Sequence, residues 1–137
     1  ALAELKFPKE ATDRISLRQH EDREEIWDIV RKKWLVCTPE EWVRQHAIAY
    51  LLLCQYPQSL ISIESGLKTV HRSKRSDALV YKDGKPWLLI ECKAPSVAIS
   101  QKTFNQAFNY NNTLQAPFIY LTNGLQHFFG IALDKNS

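Results

Sequence analysis

Apolar positions along the chain change period several times, and each change marks an element. Residues 14–36 are the least regular. The stretch RISLRQ alternates and reads as extended, HEDREE is a polar break, and EIWDIVRKKWLVC resumes with mixed period. A hairpin fits this pattern best, with a short helix as the alternative. Thr38-Pro39-Glu40-Glu41 then opens a helix: Thr38 is a cap, Pro39 suits the first helical position, and Glu41 stands where a capping box needs an acid. Val43, Ala47, Tyr50, Leu51 and Cys54 recur at helical spacing, which predicts one buried face, and Pro57 ends the helix. Leu60 to Glu64 alternates as a strand closed by Gly66.

Asp77 to Tyr81 and Trp87 to Lys93 are two further strands joined across Lys82-Asp83-Gly84-Lys85, and Asp-Gly between apolar runs predicts a hairpin. The second run is apolar on both faces until Glu91, which predicts a central strand. Pro95 stops it. Ser100 caps a second helix running to about Leu114, with Phe104, Ala107, Phe108 and Leu114 inward. Phe118 to Thr122 is another buried strand ending at Asn123-Gly124, and His127 to Leu133 is a last edge strand. A strand, helix, strand unit from 87 to 122 implies a parallel pair. The expectation is one α/β domain, a mixed sheet flanked by helices. Residues 1–37 form an N-terminal extension and 38–133 the core, in the order helix, three strands, helix, strand, strand.

Composition narrows the class without deciding the function. With 137 residues, 45% apolar and 24% charged, the chain can bury a core without disulfide staples. Cys37, Cys54 and Cys92 are three, far apart and in no CxxC pair, which argues for reduced thiols in a cytoplasmic protein. Glu4, Lys9, Glu10 and Asp13 do not make a secretory leader, and no apolar run approaches the roughly 18 residues of a membrane span. Net charge is only +3, but residues 68–75 (KTVHRSKR) hold two lysines, two arginines and a histidine with no acid. Such a segment is either a solvated loop or a phosphate-facing surface. His46, His71 and His127 are scattered and do not suggest a second metal site.

The chemistry lies at the end of the central strand. Glu91 and Lys93 are two apart and share a face, while Ile90 and Cys92 take the other. An isolated E-x-K is usually a solvated strand end. The hairpin changes this. A three-residue loop, Asp83 to Lys85, sets Lys82 against Pro86 and Asp77 against Glu91; a two-residue loop moves the register by one and sets Asp77 against Ile90. In the first register two carboxylates stand about 5 Å apart on one face, which is destabilising unless a cation lies between them. Mg²⁺ suits that role, with Lys93 beside it.

Asp77, thirteen residues and then Glu91-Cys92-Lys93 make a pattern that resembles the PD-(D/E)xK nuclease superfamily. More closely, the chain resembles the N-terminal nuclease domain of type I restriction enzyme R subunits. The matching residues are 38–45 (TPEEWVRQ), 74–77 (KRSD), 84–95 (GKPWLLIECKAP), 105–110 (NQAFNY) and 122–124 (TNG), in that family's order. Ser76 stands where the family has proline. The resemblance implies a restriction-endonuclease-like fold and a Mg²⁺- or Mn²⁺-dependent DNA endonuclease. Asp77, Glu91 and the backbone carbonyl of Cys92 would hold the metal, and Lys93 would be the catalytic lysine. Gln106, four residues before Tyr110 on one helix face, would orient the lysine or the DNA. A helix glutamate completes the family's site: Glu40 is favoured, with Glu41 as the alternative. Lys68, Arg72, Lys74, Arg75 and Tyr110 would meet DNA. The implied partners are DNA and the methyltransferase, specificity or motor subunits, with a homodimer as a further expectation because one site cuts one strand. Two other readings stand beside this: a non-catalytic binding or assembly module of the same fold, and a nuclease acting on RNA or branched DNA.

Overall fold

A computed structural model describes residues 2–64 and 76–132, with positions 64, 76 and 77 described by their backbone. The N-terminal part contains a single-turn helix α1 (Lys9–Thr12) and three strands: β1 (Leu17–His20), β2 (Arg23–Asp28) and β3 (Lys33–Val36). The strands form an antiparallel sheet in the order β1-β2-β3. The expected hairpin is therefore there, but extended by a strand. The polar stretch read as a break supplies the turn at Glu21-Asp22, where Glu21 takes φ 56°, and the start of β2. Its charges do not prevent pairing: most of them are exposed, and the buried Glu25 is answered by Arg18.

Helix α2 (Pro39–Leu53) follows, opened by Thr38, whose Oγ1 accepts from the Glu41 N–H at 3.1 Å. Its burial exceeds the single face that the apolar spacing predicts: every residue from Glu41 to Ala49 is buried. The cause is position. Ile26 and Leu35 of the small sheet pack into the same cluster as Val43, Ala47 and Ile48 of α2 and Ala78, Val80, Leu88, Ile90 and Cys92 of the second sheet. A helix between two layers is buried all round.

That second sheet has five strands in the order β4-β5-β6-β7-β8: β4 (Ile61–Glu64), β5 (Ser76–Lys82), β6 (Lys85–Cys92), β7 (Phe118–Thr122) and β8 (His127–Ile131). β6 and β7 are parallel and the other pairs antiparallel. The element order of the core is the expected one. β6 is central and buried from Leu88 to Cys92. Its other face carries Leu89, which joins Leu79, Ile119 and Leu121 beneath α3 (Gln101–Leu114). Ser100 and Thr103 close a capping box at the start of α3, and Gln115 ends it in the left-handed region at φ 59°. The buried stripe of α3 is Thr103, Ala107 and Asn111. Phe108, expected inward, lies about 100° round the helix from Ala107 and is 36% exposed, its ring beside Gly130. Among the described residues no helix is long and apolar enough to cross a membrane.

His46 links the parts around α2. It is 1% exposed, its Nδ1–H donates to the Trp42 carbonyl at 2.8 Å, and its Nε2 accepts from the Thr12 hydroxyl at 3.1 Å. Burial pushes the imidazole below its ordinary 6.5, against a smaller opposing effect of the Trp42 carbonyl. The folded chain therefore keeps His46 neutral where the unfolded chain takes up a proton. Stability should fall as pH drops below about 6.5 and level off once the folded value is passed. Urea melts at pH 8, 6.5 and 5 test this. His46→Gln should flatten the slope in that window, and an unchanged slope would assign it to other groups.

Candidate active site

The site residues are placed by how β5 pairs with β6. The turn between them is the two-residue one: Lys82 faces Lys85, and Asp83 and Gly84 both take positive φ, 54° and 76°. Such a turn suits the strand twist. Counted straight through, it would set Asp77 opposite Ile90. The pairing instead shifts between Val80 and Tyr81: Tyr81 faces Pro86, Val80 faces Leu88, and Trp87 is the extra residue of a bulge. Beyond the bulge Asp77 is the Cα partner of Glu91. The structure thus combines the two-residue loop with the register expected from the three-residue one. Pro86 was the available signal, since proline within a strand is confined to edges and bulges.

Glu91 is 2% exposed and lies on the face of Leu89, the α3 side of the sheet. Lys93, just past the strand, donates its backbone N–H to the Thr122 carbonyl at 2.9 Å. That bond extends the β6–β7 pairing and fixes the lysine's base. Its Nζ stands 3.7 Å from Glu91 Oε1, with about a quarter of the side chain exposed. A buried carboxylate beside a partly exposed lysine ammonium can attract a cation at the carboxylate and an anion at the ammonium. The Cys92 side chain is buried on the opposite, α2 side.

α3 covers the face that carries Glu91. Ala107 is buried against it, Gln106 beside it is exposed, and Tyr110 is half-buried in the same cluster. α2 packs on the other face, so a sheet layer separates the helix of Glu40 and Glu41 from the face of Glu91. Glu40 is half-buried in the first turn. Glu41 is 7% exposed and its carboxylate accepts from Arg44 Nε at 2.8 Å, from Arg44 Nη2, and from Gln45 Nε2 at 2.9 Å. The expected capping-box use of Glu41 is therefore corrected. Arg44 is only 4% exposed, and a buried guanidinium needs a carboxylate more than the helix end does. Asn123-Gly124 is a turn: Asn123 Oδ1 accepts from the N–H groups of Leu125 and Gln126, and Gly124 takes φ 86°.

The register adds a position that sequence reading missed. Glu64 of β4 is the Cα partner of Asp77, so Glu64, Asp77 and Glu91 form one row across three strands. The connection 65–75 has no countable turn, so β4 had no register in the sequence. Lys68, Arg72, Lys74 and Arg75 lie in that connection, outside the described residues. Among the described residues no three His, Cys, Asp or Glu side chains form a metal-holding group.

Burying a carboxylate beside an acidic register position costs stability. Glu91→Gln removes the charge at constant volume and should raise the unfolding free energy by about 1–2 kcal/mol in metal-free buffer. Chemical denaturation measures it, and a clear destabilisation would mean that Glu91 is a structural ion-pair partner of Lys93.

No curated protein and no solved structure gave a match. The family described as type I restriction enzyme R protein N terminus matches residues 39–136. With most of its length covered, from the first residue of α2 past the end of β8, this chain belongs to the family of type I restriction enzyme R protein N-terminal domains.

Proposed function

We propose that the domain hydrolyses DNA phosphodiester bonds with a divalent cation, Mg²⁺ or Mn²⁺, as the nuclease of a type I restriction system. The observation that carries this reading is the pairing of Asp77 with Glu91, with the Lys93 ammonium 3.7 Å from the Glu91 carboxylate. The donor set suits a hard cation: two carboxylates and the Cys92 carbonyl are all oxygen ligands. When bound, such an ion lowers the pKa of a coordinated water and offsets charge on the phosphate.

The remaining work falls to the chain. Lys93 stabilises the negative charge that builds on the phosphate oxygens as the P–O bond breaks. Gln106, on the helix above Glu91, orients Lys93 or the DNA, and Tyr110 one turn further meets the strand. Of the two glutamates on α2, Glu41 is held by Arg44 and Gln45, and Glu40, which the sheet separates from the face of Glu91, would serve the site only around the ends of the strands. Lys68, Arg72, Lys74 and Arg75 run up to Asp77 in sequence and supply phosphate contacts without reading bases. One site cuts one strand, so a double-strand break takes two copies. In a type I system the methyltransferase, specificity and motor parts decide where and when that happens.

Wild type should nick or linearise supercoiled plasmid with Mg²⁺ or Mn²⁺ and do neither in EDTA. Asp77→Ala, Glu91→Ala and Lys93→Ala should each lower the rate by roughly 10²–10³-fold or more. Calorimetric titration with Mn²⁺ separates the roles: binding should survive Lys93→Ala and disappear in Asp77→Ala. Undiminished cleavage by Asp77→Ala would overturn this assignment. DNA binding with no cleavage, with RNA and branched DNA also resistant, would leave a binding module of the same fold.

A further inference from the structure

The three-stranded N-terminal sheet lies ahead of the family-matched region, and its outer face carries arginines and an aromatic pair. The inner face carries Ile26 and Leu35, packed against α2. By alternation the outer face carries Arg18, His20, Arg23, Glu25, Trp27, Trp34 and Val36. The two tryptophans belong to neither core cluster. Cross-strand partners, they meet each other edge to face, with ring centroids 5.3 Å apart. The Arg18 guanidinium lies 4.4 Å above the Trp34 ring and bonds Glu25 through Nε at 2.7 Å. Arg23 reaches the same carboxylate at 3.5 Å.

The charge on this face is one-sided. The Glu25 side chain is 5% exposed beneath the two arginines, whereas theirs are 41% and 58% exposed. Solvent therefore meets exposed cations and half-buried aromatic rings on this face. The rings belong to neither core cluster, and a partly exposed aromatic pair beside exposed arginines fits a contact surface.

We propose that this face binds unpaired single-stranded nucleic acid: bases stack on Trp27 and on the outer side of the Arg18 plane that covers Trp34, and Arg23 and His20 meet the phosphates. Flat rings and guanidinium planes accept any base, and exposed arginines supply the counter-charge for the backbone. The exposed arginines suit a polyanion, and the aromatic and guanidinium planes beside them, which can stack on bases, favour nucleic acid over an acidic peptide. The surface is separate from Asp77, Glu91 and Lys93, so the inference does not depend on hydrolysis.

The test is fluorescence anisotropy in EDTA with labelled dT20 and with a 20-bp duplex of mixed sequence. Wild type should bind dT20, and Arg23→Ala and Trp34→Leu should each weaken it roughly ten-fold while changing duplex binding much less. Arg23→Ala should also lower the slope of log K against log salt by about 0.7. Arg18→Lys keeps the charge but loses the plane and should still weaken binding. It and Arg23→Ala decide the matter if Trp34→Leu fails to fold by circular dichroism. Wild-type affinity and slope in both arginine variants would overturn the proposal. So would an equal loss for duplex and single strand, or a change confined to self-association in sedimentation, which would give the face to a protein partner.

Discussion

The structure depends most on the pairing of β5 with β6. This pair has the longest run of paired positions in the central sheet and carries apolar residues into both cores: Ala78, Val80, Leu88 and Ile90 to one side, Leu79 and Leu89 to the other. A slip of one residue would exchange those sets and turn both cores polar at one end. The same register brings Asp77 level with Glu91. The core and the acidic pair are thus one constraint, and neither can be changed without the other. The Trp87 bulge reconciles this register with the tight Asp83-Gly84 turn. The bulged tryptophan does not go unused: its ring meets Phe118 at 4.9 Å and the Lys82 ammonium at 4.3 Å.

α2 shows what the second sheet demands. A helix with one buried face needs few internal partners, but a helix between two sheets must satisfy every polar group it carries. Glu41, Arg44 and Gln45 do this among themselves, and Gln45 Oε1 then accepts from the Ile29 N–H at 3.1 Å. The network thereby ties α2 to the end of β2. Asp28, at 0% exposure, accepts from the Val30 and Arg31 backbone and from the Arg31 guanidinium. Burial would raise its carboxyl, yet the Arg31 contacts outweigh this and hold it below the ordinary 3.8. The turn after β2 is therefore held in place by the acid that precedes it.

Much of this was legible in the residues. Thr38-Pro39 marks the start of α2, the apolar run before Glu91 marks the central strand, and Asp83-Gly84 marks the turn. These features are local, and local chemistry decides them. What stayed hidden depends on partners far away in the chain. The bulge needs β5 and β6 together. The register of β4 needs a connection that cannot be counted, so Glu64 went unnoticed. The role of Glu41 follows from how deeply Arg44 is buried, and that depends on a sheet that precedes the helix. Phe108 reads as inward by its apolarity, but the stripe through Thr103, Ala107 and Asn111 takes the inward place.

The N-terminal sheet therefore has two faces with different duties. Its inner face completes the burial of α2, the first element of the family-matched region. An α2 covered on one side only would expose Ile48 and the Glu41–Arg44–Gln45 network to water, where ion pairing contributes little. Packing alone accounts for Ile26 and Leu35. It gives no reason for two tryptophans on the opposite side, beside the arginines that answer the buried Glu25, since a solvated sheet face needs only alternating polar residues. Residues in excess of what the fold requires are the ones to assign to contact with another molecule. On this sheet, those residues are Trp27 and Trp34, with the exposed parts of Arg18 and Arg23 beside them.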